Sequence, residues 1–242
     1  MAGDLFDFNL FANTCAGSAS TGGGGDMFKV VARKHAIENS HHTVDATGSC
    51  EHALEKSYYC SMNATTSGDY KLDVYHLIPG GLKGYYFTDS FLDDSRLDMV
   101  RIDASLNFTW GSGPVTRFAR DYLSVRWEGY VRPMHSETYS FWLDVDDHAR
   151  LWIDGNLLID WWTLPGAPSS MLHAEYKINA LETYEIVLEY RDILGNATSR
   201  LLWSSDSTPI TAIPSSSLYY RVSSCRGLWC SLLLSYSYSD FH

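Results

Sequence analysis

Positive charge is scarce in this chain: 18 Lys and Arg stand against 29 Asp and Glu in 242 residues, a formal net charge of -11. A surface that neutralises nucleic-acid phosphates needs clustered cations, and no basic run supplies them, so nucleic acid is excluded as a partner. Cations or neutral, hydroxyl-rich ligands suit such a surface better. Long apolar runs are missing too. The late apolar patch from Leu228 to Leu234 is far too short for a bilayer, so no membrane span is expected. The opening Met1-Ala-Gly-Asp4 is acidic and lacks a basic start followed by an apolar run, so no secretory leader is legible. The chain therefore reads as a processed fragment or as one that lacks its start. Helical periodicity is nearly absent, and so are a nucleophile elbow, a His-Glu-x-x-His helix and a dinucleotide fingerprint. The run Gly22-Gly23-Gly24-Gly25-Asp26 has no Gly-Lys-Ser/Thr behind it and reads as a turn instead of a phosphate cradle. Disorder is excluded as well, because 45% of residues are hydrophobic and only 19% are charged.

Cysteine is sparse and odd in number: Cys15, Cys50, Cys60, Cys225 and Cys230 allow at most two internal disulfides. Cys50 with Cys60 and Cys225 with Cys230 are the natural local pairs. The sequons at Asn63, Asn107 and Asn196 would accept glycans in a secretory pathway. Together these features favour an oxidising compartment, and the chain is expected to be extracellular or at a cell surface. His41, His42, Cys50, His52 and Cys60 raise the thought of zinc, but their spacing matches no paired-cysteine pattern. A strand-linking disulfide with surface histidines is the better reading.

What is present is strand alternation. Phe28, Val30 and Ala32 alternate with Lys29 and Val31, and Tyr70, Leu72, Val74 and His76 alternate with Lys71, Asp73 and Tyr75. A Pro/Gly break at Ile78-Pro79-Gly80-Gly81 marks a junction. Strand patterns then recur at 107–110, 124–130, 138–145, 150–159, 184–190 and 199–203. The expected fold is all-β, two β-sandwich domains in tandem over residues 1–78 and 79–220, with a tail from 221 to 242. Most tryptophans fall on these strands and read as packing. Trp161 or Trp162, beside Pro165-Gly166, could instead be exposed and stack on a sugar face.

Between two of these strands lies an acidic corner. Tyr139, Phe141, Leu143 and Val145 alternate with polar or amphipathic residues on one arm, and Ala149, Leu151 and Ile153 do so on the other. Asp146 and Asp147 sit between the arms, where two carboxylates suit a hard cation better than a core. Asp154-Gly155-Asn156 then supplies a tight hairpin turn. A carboxylate at such a bend can also cap backbone N–H groups or pair with Arg150.

The first segment resembles a filamin-type immunoglobulin-like repeat. The likeness rests on Phe6-Asp7-Phe8, on Gly24-Gly25-Asp26-Met27-Phe28-Lys29-Val30 and on Thr66-Ser67-Gly68-Asp69-Tyr70-Lys71-Leu72-Asp73-Val74. The second segment is similar to the protective-antigen (PA-fourteen) domain family, β-sandwich modules of bacterial toxins, glycosidases and yeast flocculins. Its pattern runs through Gly81-Leu82-Lys83-Gly84-Tyr85-Tyr86, Ser124-Val125-Arg126-Trp127-Glu128-Gly129-Tyr130, Asp146-Asp147-His148-Ala149-Arg150-Leu151-Trp152-Ile153-Asp154-Gly155, and Leu201-Leu202-Trp203. In the sugar-binding branch of that family an Asp-Asp pair joined by a cis peptide holds calcium, which grips sugar hydroxyls. The resemblance implies that Asp146 and Asp147 are that pair, that Asp192 is the third carboxylate, and that carbonyls from Ile193 to Asn196 complete the set. A glycan on Asn196 would crowd the same loop.

These readings describe a non-catalytic, extracellular adhesion module binding glycans or glycoproteins through calcium. The alternative is a building block of a filament, wall or appendage that assembles with copies of itself or with other structural proteins. An adjacent Asp pair does not provide the separated carboxylates that glycoside hydrolysis requires.

Overall fold

The computed structural model describes residues 4–11, 27–34, 46–52, 57–64 and 70–222. They form two compact units, one from the residues up to Ile78 with Arg221 and Val222, the other from Pro79 to Tyr220. The all-β reading holds: among the described residues only Asp94–Arg96 and Ser215–Ser217 are helical, each a single 3-10 turn.

The first unit contains β1 (Asp4–Phe11), β2 (Met27–Lys34), β3 (Ala46–His52), β4 (Ser57–Ala64) and β5 (Tyr70–Pro79). They form an antiparallel sheet in the order β1-β4-β3-β2-β5. The two-residue period places Val30, Ala32, Tyr58, Cys60 and Met62 together, with Phe28, Cys50, Leu72 and Val74 packed against them. Cys50 and Cys60 are directly opposed on β3 and β4 and are joined by a disulfide. Asn63 lies within β4. Cys15, His41, His42 and the Cys225–Cys230 pairing lie outside the described residues.

The second unit contains β6 (Leu82–Phe87), β7 (Leu97–Asp103), β8 (Asn107–Gly111), β9 (Leu123–Val131), β10 (Glu137–Asp146) and β11 (His148–Ile153). It continues with β12 (Asn156–Asp160), β13 (Leu172–Ile178), β14 (Tyr184–Asp192), β15 (Ala197–Ser205), β16 (Thr208–Ala212) and β17 (Leu218–Val222). The larger sheet runs β7-β6-β9-β14-β11-β12, and β17 continues along the β6 edge of β9 at Tyr130 and Val131. The smaller runs β13-β10-β15-β16, with β8 also on β15. One core joins them. Val125, Trp127, Ile186, Leu188 and Tyr190 enter it from the larger sheet, and Tyr139, Phe141, Leu143, Leu201 and Trp203 from the smaller.

Trp127 is the hub of that core, with Phe108, Tyr86 and Tyr190 ring centroids 5.8, 5.9 and 6.4 Å away. Its indole N–H donates to the buried Asp103 carboxylate, as does the Tyr86 hydroxyl, each at 2.7 Å. Arg101 Nε donates to the other carboxylate oxygen at 2.7 Å. Burial and the Asp103 charge push the Tyr86 hydroxyl pKa up. Close backbone approach has its own requirement. A Cβ at Gly129 would stand 2.3 Å from the Tyr219 carbonyl oxygen and 2.7 Å from a Leu82 methyl group. Gly129→Ala is therefore expected to cost at least about 2 kcal/mol, read as a lower urea midpoint with an unchanged slope. An unaltered midpoint would contradict the approach of β17 to β9.

Candidate functional site at the sheet crossing

The acidic corner is where the chain leaves one sheet for the other. In β10 the residues Tyr139, Phe141, Leu143 and Val145 point into the core while Asp144 and Asp146 stand on the outer side. β10 belongs to the smaller sheet and β11 to the larger, so Asp146-Asp147 is the crossing itself. A second crossing lies beside it. β14 ends at Asp192 in the larger sheet, and β15 begins at Ala197 in the smaller. Register aligns the two: Asp146 faces Thr198 in the smaller sheet, and His148 faces Arg191 in the larger.

Hydrogen bonds tie the crossings together. Asp147 Oδ2 accepts the Ile193 N–H at 2.8 Å, and the Tyr190 hydroxyl donates to the Asp146 carbonyl oxygen. The capping reading of Asp147 is thus realised, whereas Arg150 pairs with Glu189 instead of the corner. Asp121, from the loop before β9, accepts the Gly195 N–H at 3.0 Å. The peptide bond between Asp146 and Asp147 is cis, as the family resemblance implies.

Asp192 is the unusual group. It is fully buried, and neither carboxylate oxygen has a hydrogen-bond partner. Burial, followed by the charges of Asp147, Asp121 and Asp146, pushes its pKa up to about 7. Asp146 is raised as well, by burial first and then by a shared hydrogen bond with Asp147 and the charges of Asp147 and Asp144. Carboxylates crowded in this way, without a cation among them, hold protons more tightly than in water.

The surroundings are polar on one side and aromatic on the other. A groove of about 380 Å³ opens beside Asp146, lined by Asp144, Thr109, Thr198, Arg200 and Pro168. Thr109 and Thr198 are register partners on antiparallel strands, so Asn107 and Asn196 lie in opposite directions from that pair, and both asparagines are exposed. Trp162 is half-buried, and its ring lies under two guanidinium groups, Arg150 at 4.4 Å and Arg191 at 4.7 Å from the centroid. Arg191 also donates to the Trp162 carbonyl oxygen, and His148 Nε2 sits 2.9 Å from that of Leu164. The segment after β12 is thus held by the two residues that adjoin Asp147 and Asp192 in sequence.

The PA14 domain family profile matches residues 79–217, more than half of the chain. The chain belongs to the PA14 domain family. The chain is also 43% identical over 141 residues to the anti-sigma-I factor RsgI3 of Acetivibrio thermocellus, covering 57% of this chain and 21% of that protein. The chain thus spans about a fifth of the length of that relative. A solved anti-sigma factor domain-containing protein is 39% identical with a TM-score of 0.55, covering 58% of this chain and 47% of the other. A second solved protein of that description, from Clostridium clariflavum, is 20% identical with a TM-score of 0.55 and covers 90% of this chain and 84% of its own, which shows a shared fold. The PA14 match starts at residue 79, and the filamin-type resemblance of the first segment is not shown.

These relatives correct the expected function. An extracellular adhesion module, or a building block of a filament or wall, is overturned by similarity to regulatory proteins named as anti-sigma factors. The extracellular or cell-surface location expected with those roles falls with them. No helix among the described residues is long and apolar enough to cross a membrane.

Of the residues singled out in the PA14 segment, Asp146, Asp147 and Asp192 come together at the crossing, with Asn196 in the loop beside them. Trp162 is turned toward arginines. Among the described residues no group of three or more acidic, histidine or cysteine side chains is arranged to hold a metal ion. The donors are nevertheless right in kind for a hard cation: Asp192 is buried with both oxygens orphaned, and the charges of three further carboxylates, Asp147, Asp121 and Asp146, bear on it. Asp121 was missed by sequence reasoning. It lies in a turn-rich loop with no pattern to distinguish it, and only the fold brings it to Gly195.

Proposed function

We propose that this chain is the ligand-receiving part of an anti-sigma-factor-type regulator, and that its PA14 unit recognises a saccharide with the help of calcium. The observation that carries the regulatory part is the 43% identity over 141 residues to an anti-sigma-I factor. Calcium would be held by Asp146, Asp147 and Asp192, with loop carbonyls from Ile193 to Asn196 adding neutral oxygen donors. The ion would neutralise the field now concentrated on Asp192 and offer open positions to vicinal hydroxyls. The role is binding, not catalysis, in keeping with a carboxylate pair too close to flank a glycosidic bond. The first unit is read as a filamin-type immunoglobulin-like repeat acting as a spacer, supported by its antiparallel pairing and alternating core.

A transcription reporter tests the reading. Residues 79–220 are exchanged for the matching segment of the anti-sigma-I factor, and output is measured with soluble polysaccharides and calcium present. The chimera is expected to respond to at least one polysaccharide, and Asp147→Asn to abolish the response. Output that stays constant with every polysaccharide would overturn the proposal.

A further inference from the structure

The outer face of the smaller sheet carries chemistry that the acidic corner does not explain. In the register of β10 with its neighbours, Ser140 faces Glu175 on β13 and Ser204 on β15, Trp142 faces His173, Asp144 faces Arg200, and Asp146 faces Thr198. Residues opposed in this way stand on the same side of a sheet, so these pairs form successive rows along one surface. Trp142 stacks on the exposed His173 ring, centroids 4.7 Å apart and planes 22° apart, while its indole N–H donates to the Ser204 hydroxyl at 2.9 Å. On one side of this aromatic plateau lies an open groove of about 620 Å³, lined by Ser136, Glu137, Thr138, Ser140, Glu175 and Ser204. On the other side lies the smaller groove beside Asp146. From Thr138 to Asp146 the strand spans about 27 Å.

We propose that this face is a second saccharide-contact surface, along which a neutral linear polysaccharide lies parallel to β10 and reaches the Asp146 corner. The proposal rests on the saccharide reading of the PA14 unit and extends it from a point of contact to a track. An aromatic plateau offers a π-face to the apolar C–H face of a sugar ring. Serine, threonine and carboxylate groups on both sides supply the donors and acceptors that a ring's hydroxyls need. Charge argues for a neutral occupant: Glu137, Glu175 and Asp206 outnumber Lys177 at the larger groove, and Arg200 is already paired with Asp144. A polyanion would meet net repulsion. A protein partner would need an apolar centre ringed by polar residues, but here one tryptophan is flanked by serines and carboxylates.

Affinity electrophoresis of the full chain through gels containing xylan, mixed-linkage β-glucan or galactomannan, with calcium, tests the proposal. It is followed by calorimetry with the matching di- and hexasaccharides. Trp142→Ala and Ser140→Trp, the second of which blocks the row without removing packing, are compared with the unaltered chain. Both variants are expected to weaken hexasaccharide binding at least tenfold and to leave disaccharide binding within about twofold. If the unaltered chain is retarded by a polymer and both variants bind its hexasaccharide equally well, this face is refuted and the corner reading survives. If no polymer retards the unaltered chain, the saccharide reading fails and the face fails with it.

Discussion

In buffer stripped of divalent cations, the folded protein is expected to lose stability as pH rises from about 4 to about 7. Asp192 holds its proton up to about 7 in the folded state, whereas an unfolded aspartate releases it near about 3.9. Between those values the native state binds the extra proton, so raising pH removes an advantage of folding, amounting to about 4 kcal/mol at most. Asp146 is shifted in the same direction and adds to the trend. Glu137 contributes in the opposite sense, because the Ser205 and Ser207 hydroxyls hold it down to about 2, but its window lies below the ordinary glutamate range. Calcium is expected to reverse the loss above pH 7. A concentration one hundred times the dissociation constant would restore about 2.7 kcal/mol. Urea titrations at several pH values, with chelator and with calcium, read both effects. Asp192→Asn should flatten the profile and remove the calcium response. A profile that is flat or rises with pH in chelator would defeat the charge-crowding account, and a melting point indifferent to calcium would defeat the metal assignment.

Replacing Asp103 with alanine is expected to lower the unfolding free energy by about 3 to 5 kcal/mol. The change strands three donors at once, and two of them, the Tyr86 hydroxyl and the Trp127 indole N–H, belong to side chains with no exposed surface. Each buried donor left without a partner costs about 1 to 3 kcal/mol. Asp103→Asn keeps one acceptor oxygen and should lose less. The network also fixes Gly84, where a Cβ would come within 2.6 Å of the Asp103 carboxylate and 2.9 Å of the Trp127 ring. Chemical denaturation of the three proteins separates these cases. A loss below 1 kcal/mol for Asp103→Ala would mean that water replaces the carboxylate, and the proposed dry hub would be wrong.

Strands that bury one face against the core were legible because their alternation is strict. β9, β10, β14 and β15 all lie where period-two patterning places them. β7 was not legible, since its edge position leaves Leu97, Val100 and Ile102 exposed and blurs the alternation. β13 carried a signal that went unread: Leu172, Ala174, Tyr176 and Ile178 alternate with exposed His173, Glu175 and Lys177. The pairing of Asp146 and Asp147 with Asp192 came from resemblance. Nothing in spacing alone reports that β10 and β14 both leave their sheets at the same end. Asp121 and the arginines over Trp162 were hidden for the same reason, because proximity across sheets is a property of topology and not of local sequence.

The two adjacent crossings make the acidic end a clasp. Other links also pass between the sheets, from β7 to β8, β9 to β10, β12 to β13, β13 to β14 and β16 to β17. Here two covalent arches are bound to each other by the Asp147 carboxylate and the Ile193 amide. Releasing that bond would loosen both arches together, a local opening confined to this end. Amide exchange at Ile193 and Gly195 would then register an occupied corner well before the melting curve moved.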